Sequence, residues 1–252
     1  MPFLALDVGN SSVKAAVWDG GWSGVARWPS TGVGADEWRR RLATLPRADR
    51  AGIASVVPRL TGPLAEAARA VTGAEPVRVS ADRPLPFRMA YETPGTLGAD
   101  RIAAAAAAQA LADGRAVVAV DAGTAVTVEA LTAEPAYLGG AILPGPDLLR
   151  RALARDTGQL PDVAWARPPS PVGRSTTEAI QAGLATLLLD GLAGLVRRTT
   201  DVLGGDALVV ATGGWAPWLA EHLEIDRVVP TLVLDGVRQL CDGALASRPG
   251  DA

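Results

Sequence analysis

With 252 residues, 48% of them apolar, the chain can form one large domain or two of ordinary size around a substantial core. A net charge of −3 without any basic run excludes an electrostatic footprint for nucleic acid. A single cysteine, Cys241, excludes an internal disulfide framework, and one histidine, His222, adds too little to it for a zinc site.

The first phrase, LALDVGNSSVKAAV (Leu4 to Val17), carries chemistry. An apolar strand, Leu4 to Leu6, delivers Asp7 to its end, Gly9 permits a tight turn, and Val13 to Val17 returns as a strand. Asn10, Ser11 and Ser12 add short polar groups. Backbone N–H groups, small donors, a carboxylate and a cation are the parts of a phosphate-handling turn. An ordinary hairpin is the plain alternative. The cation is Lys14, the one lysine among 24 basic residues. Where arginine has replaced lysine everywhere else, a compact ammonium retained beside this turn points to function. MPFLALD lacks a basic region and does not read as a signal peptide, and Ala103 to Ala108 is too short to span a bilayer. A soluble, cytoplasmic protein with no membrane partner is expected.

Trp18 to Trp28 holds a further turn and strand. Glu37 to Leu45 reads as a helix, Ala51 to Val57 as a strand, Pro58 to Val71 as a helix and Pro76 to Val79 as a strand. Pro84 to Thr96, with three prolines, reads as irregular. Ala99 to Ala112 is a helix stopped by Gly114, and its alanines leave it thin enough for a close neighbour. Arg115 to Val120 is a strand, and VAVDAGTAVTVEAL (Val118 to Leu131) aligns without a gap to the opening phrase. Asp121 answers Asp7, Gly123 answers Gly9 and Thr124 answers Asn10, 114 residues on. Such a repeat implies two similar lobes, residues 1–114 and 115–252. Tyr137 to Gly145 reads as a strand, Asp147 to Arg155 as a helix and Leu160 to Gly173 as a long loop. Ser175 and Glu178 form a capping box that opens a helix to about Thr200. Leu208 to Ala211 is a strand running into TGGWA, and Val228 to Leu234 is a last strand or extended segment. A helix to about Ala246 and a frayed tail, SRPGDA, complete the chain.

Paired DVGNSSVK and DAGTAVTV turns, with TGG late in the chain, resemble the ATP-binding superfamily of actin, sugar kinases and heat-shock ATPases. The closer resemblance is to type III pantothenate kinase. It is carried in order by DVGNSSVK, ASVVPRLT, LGADR, DAGTAVTV, YLGGAILPGPDLL, STTEAIQAG, TGG and LVLDG. The family pattern departs at Ser11, where Thr is more usual, and in the helix after ADR, where alanine replaces a common Asn.

That resemblance implies an α/β fold of two RNase H-like lobes, each a mixed sheet flanked by helices, with the nucleotide in the cleft. It implies ATP-dependent phosphorylation of pantothenate to 4′-phosphopantothenate, the first step of coenzyme A biosynthesis, by a homodimer. By the same resemblance, Asp7, Val8, Gly9, Asn10, Ser11, Ser12, Val13 and Lys14 bind ATP, with Thr124 a further contact. Tyr91, Gly98, Ala99, Asp100, Arg101 and Thr176 bind pantothenate, and Asp100 is the catalytic acid/base. Asp121 holds a monovalent cation, K⁺ or NH₄⁺, and Asp7 orients Mg²⁺ through water.

Each assignment has a plain structural counterpart. Asp100 suits the first turn of any helix, Tyr91 suits a core edge, and Thr176 suits a capped helix start. The seven tryptophans read as packing, although Trp215, next to TGG, is placed to approach an adenine. Two other functions use the same fold: a non-catalytic nucleotide-binding regulator, and another small-molecule kinase.

Overall fold

A computed structural model describes residues 1–241 of the chain. Within them the chain groups into two compact units. One comprises residues 1–113 and 135–138 together with the segment from Thr231 onward, and the other comprises 114–134 and 139–230.

Alternation along the opening strand sets the faces of the first sheet. Leu4, Leu6 and Val8 of β1 (Phe3–Val8) enter one core, so Phe3, Ala5 and Asp7 turn to the opposite face. β2 (Ser12–Trp18) returns antiparallel with Lys14 opposite Asp7, and β3 (Trp22–Pro29) lies antiparallel to β2 with Arg27 opposite Lys14. α1 (Ala35–Leu42) leads to β4 (Arg50–Ser55), parallel to β1. α2 (Pro58–Thr72) then leads to β5 (Val77–Arg78), parallel to β4. The order is β3-β2-β1-β4-β5. Trp38, Leu42, Leu60 and Leu64 bring α1 and α2 onto the face of Leu4, Leu6 and Ile53.

In the second unit β7 (Ala116–Ala122) and β8 (Ala125–Leu131) form an antiparallel hairpin. After β9 (Ala136–Pro144), α4 (Pro146–Asp156) and α5 (Thr176–Val202), β10 (Ala207–Thr212) lies parallel to β7. α6 (Ala216–Ala220) precedes β11 (Arg227–Val228), parallel to β10. The order β9-β8-β7-β10-β11 repeats that of the first sheet, strand for strand. These are the two RNase H-like lobes that the resemblance implied.

The repeat is not gapless. In the first hairpin Val8 pairs with Val13, whereas in the second Ala122 pairs with Val126. The second turn is therefore one residue shorter, and the residue opposite Asp121 is Thr127, where Lys14 stands opposite Asp7. An ungapped alignment had matched Lys14 to Val128.

Other expectations change with long-range pairing. The irregular stretch Pro84 to Thr96 contains β6 (Arg88–Met89), paired in parallel with Ala136 and Tyr137, and a 3₁₀ turn over Pro94–Thr96. The Arg88 N–H donates to the Pro135 carbonyl and the Ala90 N–H to that of Tyr137, which groups residues 135–138 with the first unit. Val228 to Leu234 is mostly not strand: α7 (Leu232–Cys241) begins inside it. The helix reading to Ala246 and the tail lie beyond the described residues. α5, although long and apolar enough by composition to cross a membrane, buries Ile180, Leu184, Leu188 and Leu192 in the second unit.

The expected division placed everything after residue 114 in the second lobe; the packing groups α7 with the first. α7 lies on β1, β4 and α3 (Ala99–Ala110), Trp22 Nε1 donates to Asp235 at 2.8 Å, and the Arg238 guanidinium lies over the Trp18 ring. Small residues make the contact possible. A Cβ on Gly236 would lie 1.8 Å from the Ala103 carbonyl oxygen, and one on Gly52 would lie 2.8 Å from Cys241 Cβ. Cys241 itself is a buried thiol in this packing.

Gly236→Ala should therefore destabilise the protein by about 1–3 kcal/mol, the usual scale for overpacking. Gly191→Ala, at an exposed position inside α5 with open space around it, should be neutral or stabilising by about 0.4–1 kcal/mol. Urea unfolding of the two variants checks this; equal midpoints would mean that α7 and α3 do not meet backbone to backbone.

Candidate active site

In the first unit the expected phosphate segment is a strand end, a turn and a strand start. Val8 and Val13 bury their side chains in the core, so only their backbone is available to a ligand. Asn10 and Ser11 are exposed at the tip. Asp7 is 7% exposed, and its Oδ2 lies 3.4 Å from Lys14 Nζ. Burial pushes the Asp7 carboxyl above the usual carboxylate range; the Lys14 ammonium pulls it back, and the Asp100 charge raises it further. The Arg27 guanidinium adds a smaller downward pull. Asp7, Lys14 and Arg27 thus form a row across three strands on one face of the sheet.

Asp100 is brought toward that row by the first turn of α3. Burial raises its carboxyl too, opposed by the Arg101 N–H that donates to Oδ1 at 2.8 Å, by the Arg101 charge and by Lys14. Gly98 makes room for this geometry, because a Cβ there would sit 2.6 Å from Asp100 Oδ1. Ala99 opens the helix, and Arg101 is buried, 8% exposed. Two carboxylates and one lysine therefore sense one another within the first unit. The Tyr91 ring packs edge-on against Tyr137 at 6.0 Å, as a core-edge residue would.

The second unit carries Asp121 at the end of β7, with Gly213 against it. Gly213 has φ 93°, and a Cβ there would lie 2.4 Å from the Ala122 oxygen and 2.6 Å from Asp121 Oδ1. The Trp215 N–H donates to that same Ala122 oxygen, so the TGG turn and the Asp121 turn are one construction. Thr212 pairs with Asp121 in register, and its buried Oγ1 has no hydrogen-bond partner among the described residues. Thr124 is exposed, and its carbonyl accepts from the Gly145 N–H at 2.9 Å. Thr176 is exposed as the first residue of α5, behind the Ser175 cap, which accepts from the Glu178 N–H. The Glu178 carboxylate accepts from the Arg174 N–H, so the box closes one residue outside the helix cap. The Trp215 ring packs edge-on against Trp165 and Trp218.

Residues that sequence reading passed over include Arg27, Ser30, Arg59 and Thr212. The strand pairing that aligns Arg27 with Lys14, and Thr212 with Asp121, is not written in any local pattern. Ser30 follows β3 at its end, is 2% exposed, and bonds back to the first turn.

A Type III pantothenate kinase from Moorella thermoacetica is 36% identical over 249 residues, covering 93% of this chain and 96% of that protein. Among solved structures, a Baf family protein from Campylobacter jejuni superposes with TM-score 0.62 at 19% identity, over 97% of this chain and 100% of that one. MreB 5 of Spiroplasma citri bound to AMPPNP superposes with TM-score 0.52 at 12% identity, over 97% of both chains. At those identities the two likenesses concern the fold alone. The family model for type III pantothenate kinase matches residues 3–201, so the chain belongs to the type III pantothenate kinase family.

Proposed function

We infer that the chain carries out the reaction for which its family is named: transfer of the γ-phosphoryl group of ATP to the primary hydroxyl of pantothenate, giving 4′-phosphopantothenate and ADP. The observation that supports this most directly is the buried Asp7 paired with Lys14, with Asp100 within electrostatic reach. Phosphoryl transfer demands positioning and charge compensation more than covalent chemistry. Backbone N–H groups of the Gly9–Ser12 turn and the Lys14 ammonium hold the phosphates. Thr124 is assigned as a further ATP contact. Gly98, Ala99, Arg101, Tyr91 and Thr176 are assigned to pantothenate.

Asp100 accepts the hydroxyl proton. A free carboxylate, with a pKa of about 4, is too weak to ionise an alcohol beforehand. Burial makes Asp100 a stronger base than that, so it aligns the hydroxyl and takes the proton as the P–O bond forms.

No group of three or more His, Cys, Asp or Glu is placed to hold a metal among the described residues. That donor set fits Mg²⁺ bound mainly by the nucleotide's phosphates and reached by Asp7 through water, as this ion commonly is. When bound, Mg²⁺ neutralises charge on the β- and γ-phosphates. Around Asp121 the donors are oxygens: its carboxylate and the orphan Thr212 hydroxyl. Hard oxygen donors fit a monovalent cation, K⁺ or NH₄⁺. A homodimer in the cytoplasm completes the reading.

Purified protein with ATP, Mg²⁺ and pantothenate should yield the phosphorylated product by mass spectrometry. Nucleotide binding with no product under varied cations would favour a non-catalytic regulator.

Three variants test the assignments. Asp100→Asn should lose about 10²-fold or more in turnover. Because burial disfavours its charge, thermal stability should stay level or rise; near wild-type turnover would reduce Asp100 to a helix-start acid. Lys14→Arg should raise the KM for ATP by about tenfold, because a guanidinium fork does not replace a point charge. Unchanged ATP kinetics would make the lone lysine incidental. Activity should rise with K⁺ or NH₄⁺ at constant ionic strength, with Na⁺ a poor substitute, and Asp121→Asn should abolish the response. Equal rates in sodium and potassium buffers would remove the cation from Asp121.

A further inference from the structure

The turn that carries Gly9 to Ser12 is held from behind by one residue. The Ser30 hydroxyl donates to the Gly9 carbonyl at 2.5 Å, and the Ser30 N–H donates to the Ser11 carbonyl at 3.1 Å. The Ser30 carbonyl in turn accepts from Arg59 Nη2 at 3.0 Å, which links the turn to the start of α2. Ser30 is almost fully enclosed, while Asn10 and Ser11 are exposed. One buried residue, through its hydroxyl and its backbone, thus ties two of the turn's carbonyls to a helix.

Peptide geometry gives that tie a direction. In a planar trans peptide the C=O of one residue and the N–H of the next point opposite ways. Drawing the Gly9 oxygen toward Ser30 turns the Asn10 N–H to the other side, and drawing the Ser11 oxygen inward does the same for the Ser12 N–H. The Gly9 N–H is already spent on the Ser12 carbonyl at 3.0 Å. Among the turn's remaining donors, the Asn10 and Ser12 N–H groups are those whose direction Ser30 sets.

We propose that Ser30, anchored by Arg59, is a positioning residue that aims the N–H groups of Asn10 and Ser12 at the phosphates of bound nucleotide. The proposal rests on the reading of Gly9 to Lys14 as the phosphate segment. Without the hydroxyl the turn keeps its sequence and its exposed tip, but the Gly9 peptide is free to rotate. The donors are then organised only after the nucleotide arrives, and affinity for the phosphates falls.

The test measures steady-state kinetics and melting temperature for Ser30→Ala, Arg59→Met and Lys14→Ala in the full chain. Ser30→Ala should raise the KM for ATP by about tenfold, the worth of one well-placed hydrogen bond at the upper end of its range. The KM for pantothenate should stay within about twofold, because the loss falls on the phosphate turn alone. ADP binding should weaken in step while AMP binding does not, a split that general loosening of the fold would not produce. Arg59→Met removes only the anchor and should move ATP in the same direction by about threefold, which keeps the proposal testable if Ser30→Ala folds poorly. If Lys14→Ala raises the KM for ATP while Ser30→Ala and Arg59→Met do not, the brace is overturned and the phosphate segment stands. If Lys14→Ala leaves ATP unaffected, the phosphate segment fails and the brace fails with it. A parallel rise in both substrates' KM with a lower melting temperature would make Ser30 a fold residue and overturn the proposal.

Discussion

A carboxylate buried at the end of a central strand is costly unless a cation answers it. In the first unit that carboxylate is Asp7, and the answer is Lys14, directly opposite it on β2, 3.4 Å away. The residue opposite an acid on an antiparallel neighbour points to the same face, so this pairing also fixes the face on which the ion pair lies. It lies on the α3 side of the sheet, away from the core built by Leu4, Leu6 and Val8. Asp100 reaches the same side from the first turn of α3, with Gly98 leaving space for its carboxylate. Burial disfavours charge at both acids, and the single ammonium within reach favours it at both.

The same topology is built twice with different electrostatics. Each sheet follows one strand order, and each first strand ends in an acid followed by a glycine turn. The second hairpin is a residue shorter, which sets Thr127 opposite Asp121 in place of a cation. It gains instead the close approach of Gly213 and the neighbouring hydroxyl of Thr212. The first acid turn faces a side-chain ammonium across the hairpin, and the second lies beside the Thr212 hydroxyl.

Small residues set the distances that let the first unit close. The alanine run of α3 and Gly236 of α7 bring two helix backbones together, and Gly52 lets α7 lie on the sheet. An alanine-rich helix has little side chain with which to stabilise a fold, so the stabilisation comes from how closely its neighbours approach. The last of the described helices is thereby packed against the first strand.

Much of this was legible in the sequence because it is local. Strand, acid and glycine turn follow one another within LALDVG, helix starts are marked at Pro58 and Ser175, and the repeated phrase announced two similar lobes. The family pattern, spread across nearly the whole chain, carried the activity. Other features depended on pairing between distant segments, which no local pattern records. The register shift in the second hairpin, the parallel contact of Arg88 with Ala136, and the return of α7 to the first unit arise from hydrogen bonds and close packing across long separations. Arg27, Ser30 and Thr212 belong to the same class: ordinary residues in sequence, each given its place by a neighbouring strand or turn. The sequence determined which residue types the first turn presents, because they are written into one short stretch of chain. Only the tertiary structure decided what holds the turn in place and what answers its charge, because those partners come from other strands, brought there by folding.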